Sequence, residues 1–302
     1  MSLVSRIMHL KRERNAVILA HNYQMPEVQD VADFVGDSLG LSILASEVDA
    51  EVIVFCGVDF MAESAKVLNP KKTVLLPEPE AQCPMAAMID VKGLKTFKEK
   101  HPDAEVVGYV NTSAATKAEM DICCTSSNAV KVVSSLKSEK ILFVPDENLG
   151  YWVQKSLPKK KLILWPGFCP IHNSVTREDV LREKLRYPQA KVLAHPECRP
   201  EVLDLADAVK STEGMIKYVR DSSDWEFIIV TERELLHRLN KEAPGKRFHS
   251  IPGMICPNMK RISLGSIIHS LEYMKEEIIL PENVMSRARK PLERMMAVGR
   301  GD

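Results

Sequence analysis

The 302-residue chain lacks a net charge: its forty-one basic side chains are matched by forty-one acidic ones. A neutral balance provides no global field to attract nucleic acid or an anionic membrane surface, so neither is expected as a partner. No apolar run approaches the roughly 20 residues that cross a bilayer. The opening MSLVSRIMHLKRERN reads as an amphipathic helix without the apolar core and cleavage site of a secretion signal, and a cytoplasmic location is expected. Low-complexity tracts and Gly/Ser linkers are also missing, so any subdomains pack directly against one another. Cysteine occurs seven times but never as a Cys-x-x-Cys pair. That argues against a closed structural zinc site. An odd, scattered set in a long chain reads as reduced thiols, some of them metal ligands, and not as a disulfide framework.

What the chain does have is an internal repeat. LAHNYQMPEVQDVADFVGDS (residues 19–38) and LAHPECRPEVLDLADAVKST (residues 193–212) are identical at ten of twenty positions, where chance gives about one. A weaker third copy lies between them and aligns Tyr109 with His21 and His195. In this register Asp33, Asp121 and Asp207 coincide. So do the pairs Asp37-Ser38, Thr125-Ser126 and Ser211-Thr212, and then Gly40, Asn128 and Gly214, residue types tolerant of positive φ. A helix-like segment precedes each copy and two short apolar runs follow it, for example VIVFC and TVLLP in the first. Short runs rich in Val, Ile and Leu between helical stretches predict buried parallel strands. The expected fold is α/β, with three pseudo-symmetric αβα domains whose parallel sheets surround a central axis. The expected domains are 1–85, 86–171 and 172–258, with residues 259–302 forming helices that pack across the first repeat and close the ring.

Each repeat contributes one Cys-Pro, at Cys83, Cys169 and Cys256, spaced 86 and 87 residues apart. Seven residues later stand the helix-capping types Asp90, Thr176 and Ser263. The cysteines therefore lie in loops leaving the carboxyl ends of strands, the edge where parallel sheets bind ligands. Three converging thiolates without a fourth suit a [4Fe–4S] cluster with one open iron. Cys56, Cys123, Cys124 and Cys198 do not recur in register and read as buried structural thiols.

Around that axis the first strands end in His21 and Tyr23, Tyr109 and Asn111, and His195 and Glu197, six polar groups on alternate positions. Ser38, Ser126 and Thr212, at expected helix starts, form three anion-binding corners. A small substrate with two or three carboxylate or phosphate groups is expected. His172 reads either as a further polar contact or as a surface histidine.

The elements AHNYQ, GDS, VDFMAE, YVN, TSSNA, CPxH, HPEC, STEGM and CPNMK resemble the quinolinate synthase family from about Ala20 to Lys260. The resemblance implies three pseudo-symmetric αβα domains and one [4Fe–4S] cluster per chain on Cys83, Cys169 and Cys256. It implies condensation of iminoaspartate with dihydroxyacetone phosphate to quinolinate, phosphate and water, for pyridine nucleotide synthesis. An aspartate oxidase or dehydrogenase would supply the imine. It further implies substrate contacts at His21, Ser38, Tyr109, Val110, Asn111, Ser126, His172, His195, Pro196, Glu197, Ser211, Thr212 and Met259. Tyr23 and Glu197 would transfer protons, with His21 and His195 as further catalytic candidates. The chain departs from the family pattern at Phe168, where a histidine is expected before the cysteine. Two rival readings are a radical iron–sulfur enzyme of the diphthamide-synthesis type and a non-catalytic iron–sulfur sensor. The compact ring of small polar groups and the AHNYQ element favour the synthase.

Overall fold

A computed structural model describes residues 2–302 and contains three four-stranded sheets, every strand parallel to its neighbours. The first comprises β1 (Ala16–His21), β2 (Phe34–Gly36), β3 (Val52–Cys56) and β4 (Thr73–Leu75), in the order β2-β1-β3-β4. The second has β5 (Glu105–Tyr109), β6 (Ile122–Cys124), β7 (Lys140–Val144) and β8 (Lys161–Leu164), in the order β6-β5-β7-β8. The third has β9 (Lys191–Ala194), β10 (Ala208–Val209), β11 (Glu226–Val230) and β12 (Arg247–Ser250), in the order β10-β9-β11-β12. Central strands such as VIVFC and EFIIV are buried at every residue, as expected of a sheet covered by helices on both faces.

Sequence periodicity predicts three strands per unit, and the structure has four. The additional ones, β2, β6 and β10, are edge strands of two or three residues, too short for a pattern to show. Their positions explain the repeated aspartate. Asp33 donates its N–H to Ile18 O at 2.9 Å, and its carboxylate accepts Ile18 N–H at 2.7 Å. Asp121 makes the same reciprocal pair with Val106, and Asp207 with Val192. In each unit, one side chain thus fixes where the short edge strand joins the first strand.

The helix starts follow the sequence reading at Asp90, Thr176 and Ser263, each accepting a backbone N–H from the first turn of its helix. Asp37 and Ser211 likewise cap the helices Ser38–Glu47 and Thr212–Asp221. The second unit departs from this pattern. Asn128 Oδ1 accepts Thr125 N–H at 2.8 Å, a turn intervenes, and the helix begins only at Ala129.

The first two units and the C-terminal helices share one continuous apolar core, whereas the third unit has separate clusters on the two faces of its sheet. The helix Glu282–Val298 spans more than the first repeat. Arg289 donates to Val67 O at 3.3 Å, and Arg294 donates to Asp121 O at 2.6 Å, bridging the first two units.

Candidate active site

The carboxyl ends of the three sheets face one cavity of about 180 Å³. Cys83, Cys169 and Cys256 all line it, as do the six strand-end groups, the hydroxyl residues Ser38, Ser126 and Thr212, and His172 and Met259. Three residues named from the sequence do not reach its wall. Val110 is buried in the apolar core, because the residue between Tyr109 and Asn111 points to the opposite side of the chain. Ser211 Oγ instead caps its helix by accepting Gly214 N–H at 3.2 Å. Pro196 lines a separate cleft behind Ser126 and Ser211.

Each cysteine loop is held twice, in register. From inside the fold, a buried or half-buried carboxylate accepts the cysteine's own N–H: Asp59 for Cys83 at 3.1 Å, Asp146 for Cys169 at 3.2 Å and Glu232 for Cys256 at 3.2 Å. Toward the cavity, backbone N–H groups point at the sulfurs. Those of Met85 and Ala86 face Cys83, that of His172 faces Cys169, and those of Asn258 and Met259 face Cys256. Burial pushes the three thiols up, Cys83 to about 12, while these N–H groups favour the anion. Such thiols ionise when a cation binds them. The donor set therefore fits a metal centre shared by the three units. The carboxylates were missed in the sequence, although their spacing of 87 and 86 residues follows the repeat.

The four other cysteines lie apart from the cavity. Cys56, Cys123, Cys124 and Cys198 are fully buried, and burial raises every one of these thiols. Phe168 does not line the cavity either, and its N–H meets Met88 Sδ at 3.4 Å.

His21 and His195 occupy equivalent repeat positions and have equivalent hydrogen bonds. Tyr23 N–H donates to His21 Nδ1 at 3.2 Å, and Glu197 N–H donates to His195 Nδ1 at 3.4 Å. With Nδ1 accepting, the proton sits on Nε2, and that of His195 points at Ser126 Oγ, 3.2 Å away. Burial lowers His21 to about 4 and His195 to about 3. Both rings are therefore neutral donors at pH 7.

A hydrogen-bonded chain joins Tyr23 to Glu197. Tyr23 Oη lies 2.6 Å from Thr231 Oγ1, and Thr231 Oγ1 lies 2.8 Å from His172 Nε2. His172 Nδ1 lies 2.7 Å from Glu197 Oε2, and the Tyr109 hydroxyl donates to Glu197 Oε1. Burial alone would raise Glu197. The neighbouring imidazoles, His172 foremost, and the two hydrogen bonds instead hold it below the usual carboxylate range. An ionised Glu197 can only accept, so His172 donates to it from Nδ1, and in the neutral tautomer with that proton Nε2 accepts from Thr231. The tyrosine proton is then directed at Thr231. His172 is buried and is not a surface residue. Thr231, which completes the chain, has no repeat partner of its type and carries no sequence signal. Donor atoms of Cys169, His172 and Glu197 lie within 4.8 Å of one another, a spacing that also suits a metal ion. Asn111 Oδ1 is buried without a partner among the described residues, an acceptor left for a ligand.

Residues 5–297 match the family model described as Quinolinate synthetase A protein. A quinolinate synthase of Methanosarcina barkeri is 57% identical over 297 residues, covering 98% of this chain and 97% of the relative. One of Thermodesulfovibrio yellowstonii is 52% identical over 296 residues, covering 98% of both chains. One of Caldicellulosiruptor saccharolyticus is 52% identical over 291 residues, covering 96% of both.

Proposed function

The chain belongs to the quinolinate synthase family, and on that premise we propose that it condenses iminoaspartate with dihydroxyacetone phosphate to quinolinate, phosphate and two waters. The observation that carries this reading is the unbroken hydrogen-bonded chain from Tyr23 through Thr231 and His172 to Glu197, set in a cavity lined by one cysteine from each unit.

Cys83, Cys169 and Cys256 would hold one [4Fe–4S] cluster. Bound there, it supplies a Lewis-acidic iron for a substrate oxygen. The chain's own residues do the rest. Ser38, Ser126 and Thr212 donate hydroxyls to the carboxylates and to the phosphate that departs. His21 and His195 add Nε2–H donors that stay neutral, so they orient anions without competing for protons. Glu197, ionised and fixed by Tyr109, takes a proton from carbon. As oriented, the hydrogen bonds run from the Tyr23 hydroxyl through Thr231 and His172 toward Glu197. Once Glu197 holds the carbon's proton, their reversal, with the His172 proton moved to Nε2, would return a proton to Tyr23, which protonates the departing oxygen. Asn111 and Met259 shape the wall.

We take residues 1–85, 86–171 and 172–258 as the units, followed by the helices of 259–302. A cytoplasmic location is part of the reading, as is supply of the imine by an aspartate oxidase or dehydrogenase. Among the described residues no helix is long and apolar enough to cross a membrane. The test is anaerobic assay with dihydroxyacetone phosphate and iminoaspartate formed in situ from oxaloacetate and ammonia. Quinolinate and phosphate should appear in equal amounts. A cluster-loaded protein that forms neither would sink the proposal.

A further inference from the structure

Gly40, Asn128 and Gly214 coincide in the repeat, and the sequence suggests positive φ as the reason. None of the three has it: Asn128 sits at φ −134°, and among the described residues positive-φ glycines occur only at Gly245, Gly253 and Gly299. What the three share is contact with one short segment, Gly299–Asp302. A Cβ on Gly40 would stand 2.9 Å from an Arg300 guanidinium nitrogen, and one on Gly214 would stand 2.3 Å from Asp302 Oδ2. Asn128 Nδ2 donates to Gly299 O at 3.2 Å.

The segment is tied to each unit in turn. Arg300 donates through both Nη atoms to the Asp37 carboxylate, each at 2.8 Å. Gly301 N–H donates to Ser127 O at 3.0 Å, and Lys131 Nζ donates to Arg300 O at 3.0 Å. Asp302 Oδ2 accepts Ser211 N–H at 2.9 Å. Every unit is gripped one residue away from a hydroxyl that lines the cavity. Asp37 precedes Ser38, Ser127 follows Ser126, and Ser211 precedes Thr212. The third unit does not share the apolar core of the other two. Directional polar contacts therefore contribute to its placement beside them.

We propose that Arg300 and Asp302 are positioning residues for substrate: Gly299–Asp302 clasps the three hydroxyl corners from behind and sets their spacing. The inference rests on the reading of the cavity as a dicarboxylate site. It adds a source of selectivity, because corners held at a fixed spacing distinguish adjacent carboxylates from more distant ones.

Calorimetry on the cluster-loaded enzyme with phthalate (1,2-dicarboxylate) and isophthalate (1,3-dicarboxylate) tests it. Arg300→Ala and Asp302→Ala should each weaken phthalate binding about fivefold or more, the range of a coupling between sites. The preference for phthalate over isophthalate should shrink in both, while Arg300→Lys restores part of it. Cluster absorbance should stay at the wild-type value. In parallel, amide exchange at the helix starts 38–41 and 212–215 should accelerate in the alanine variants. Unchanged exchange there would overturn the clasp whatever binds, as would unchanged affinity and preference. A wild type that binds neither diacid nor quinolinate would instead overturn the dicarboxylate reading, leaving the exchange result to decide the clasp.

Discussion

Asn22 donates from Nδ2 to Thr212 Oγ1 at 2.8 Å, across the junction between the first and third units. Its other amide atom, Oδ1, accepts from Arg238 at 2.8 Å, so the side chain cannot turn over without losing both bonds. Because Thr212 Oγ1 accepts this hydrogen bond, its own hydroxyl hydrogen stays free for an anion in the cavity. Asn22→Asp reverses that polarity while keeping shape and the Arg238 contact. The Thr212 hydroxyl would then donate to the introduced carboxylate in place of the ligand. A hydrogen bond to a charged group contributes roughly 1.5–3 kcal/mol, so quinolinate affinity should fall about ten- to a hundredfold. Titration of the loaded enzyme with quinolinate checks this, and an unchanged affinity would remove Thr212 from the anion site.

The register of the cysteines and of their supporting carboxylates makes a second prediction. Ser in place of Cys83, Cys169 or Cys256 should abolish bound iron. Cys56→Ser and Cys198→Ser should retain about four irons per chain, the content of one cubane. Asp146→Ala leaves the Cys169 N–H without its acceptor and should lower iron content and speed iron loss to a chelator. Asp146→Asn keeps an acceptor oxygen and should restore much of both. Equal iron retention in Asp146→Ala and wild type would show that the carboxylate serves only its helix cap at Leu149.

Much of this architecture is legible in the sequence because triplication writes each feature three times. One Cys-Pro is unremarkable, whereas three at a constant interval locate a centre. The same logic extended to Asp59, Asp146 and Glu232 would have found the carboxylates, had the change from Asp to Glu been allowed for. Thr231 is different. It acts through its distances to Tyr23, in the first unit and 208 residues away, and to His172, 59 residues away in its own unit, and no local pattern encodes such contacts. Similarly, alternation along a strand correctly separates Tyr109 and Asn111 from Val110, yet family resemblance alone would keep all three together.

Thr231 offers the third prediction. Thr231→Val preserves volume but breaks the link between Tyr23 and His172. Tyr23→Phe and Glu197→Gln remove its two ends. A positioned acid or base contributes about 10²–10⁴-fold, so all three should lower turnover by that order with the iron–sulfur absorbance retained. Thr231→Ser keeps the hydroxyl and should recover most of the rate. If Thr231→Val turned over normally while Tyr23→Phe did not, protons would reach Tyr23 by another route.

The last prediction concerns pH. His21 and His195 are held near 4 and 3 by burial, below the 6.5 of an exposed imidazole. Their ring resonances in ¹³C-histidine-labelled protein should keep the Nε2–H tautomer unchanged from pH 8 down to pH 5. The linkage has a definite sign. Between about 6.5 and 4 the unfolded chain binds protons that the folded rings refuse, so this contribution to stability is complete above 6.5 and declines as pH falls. Two such rings give a slope of up to about 2.7 kcal/mol per pH unit within that window. His21→Gln and His195→Gln each remove one proton from the count. Each should flatten the acid limb of the stability curve relative to wild type, by up to about 1.4 kcal/mol per pH unit. A midpoint of about 7.5 or above for either ring in the folded protein would mean that its imidazole is mostly charged at neutral pH, and its role as a neutral donor would have to be given up.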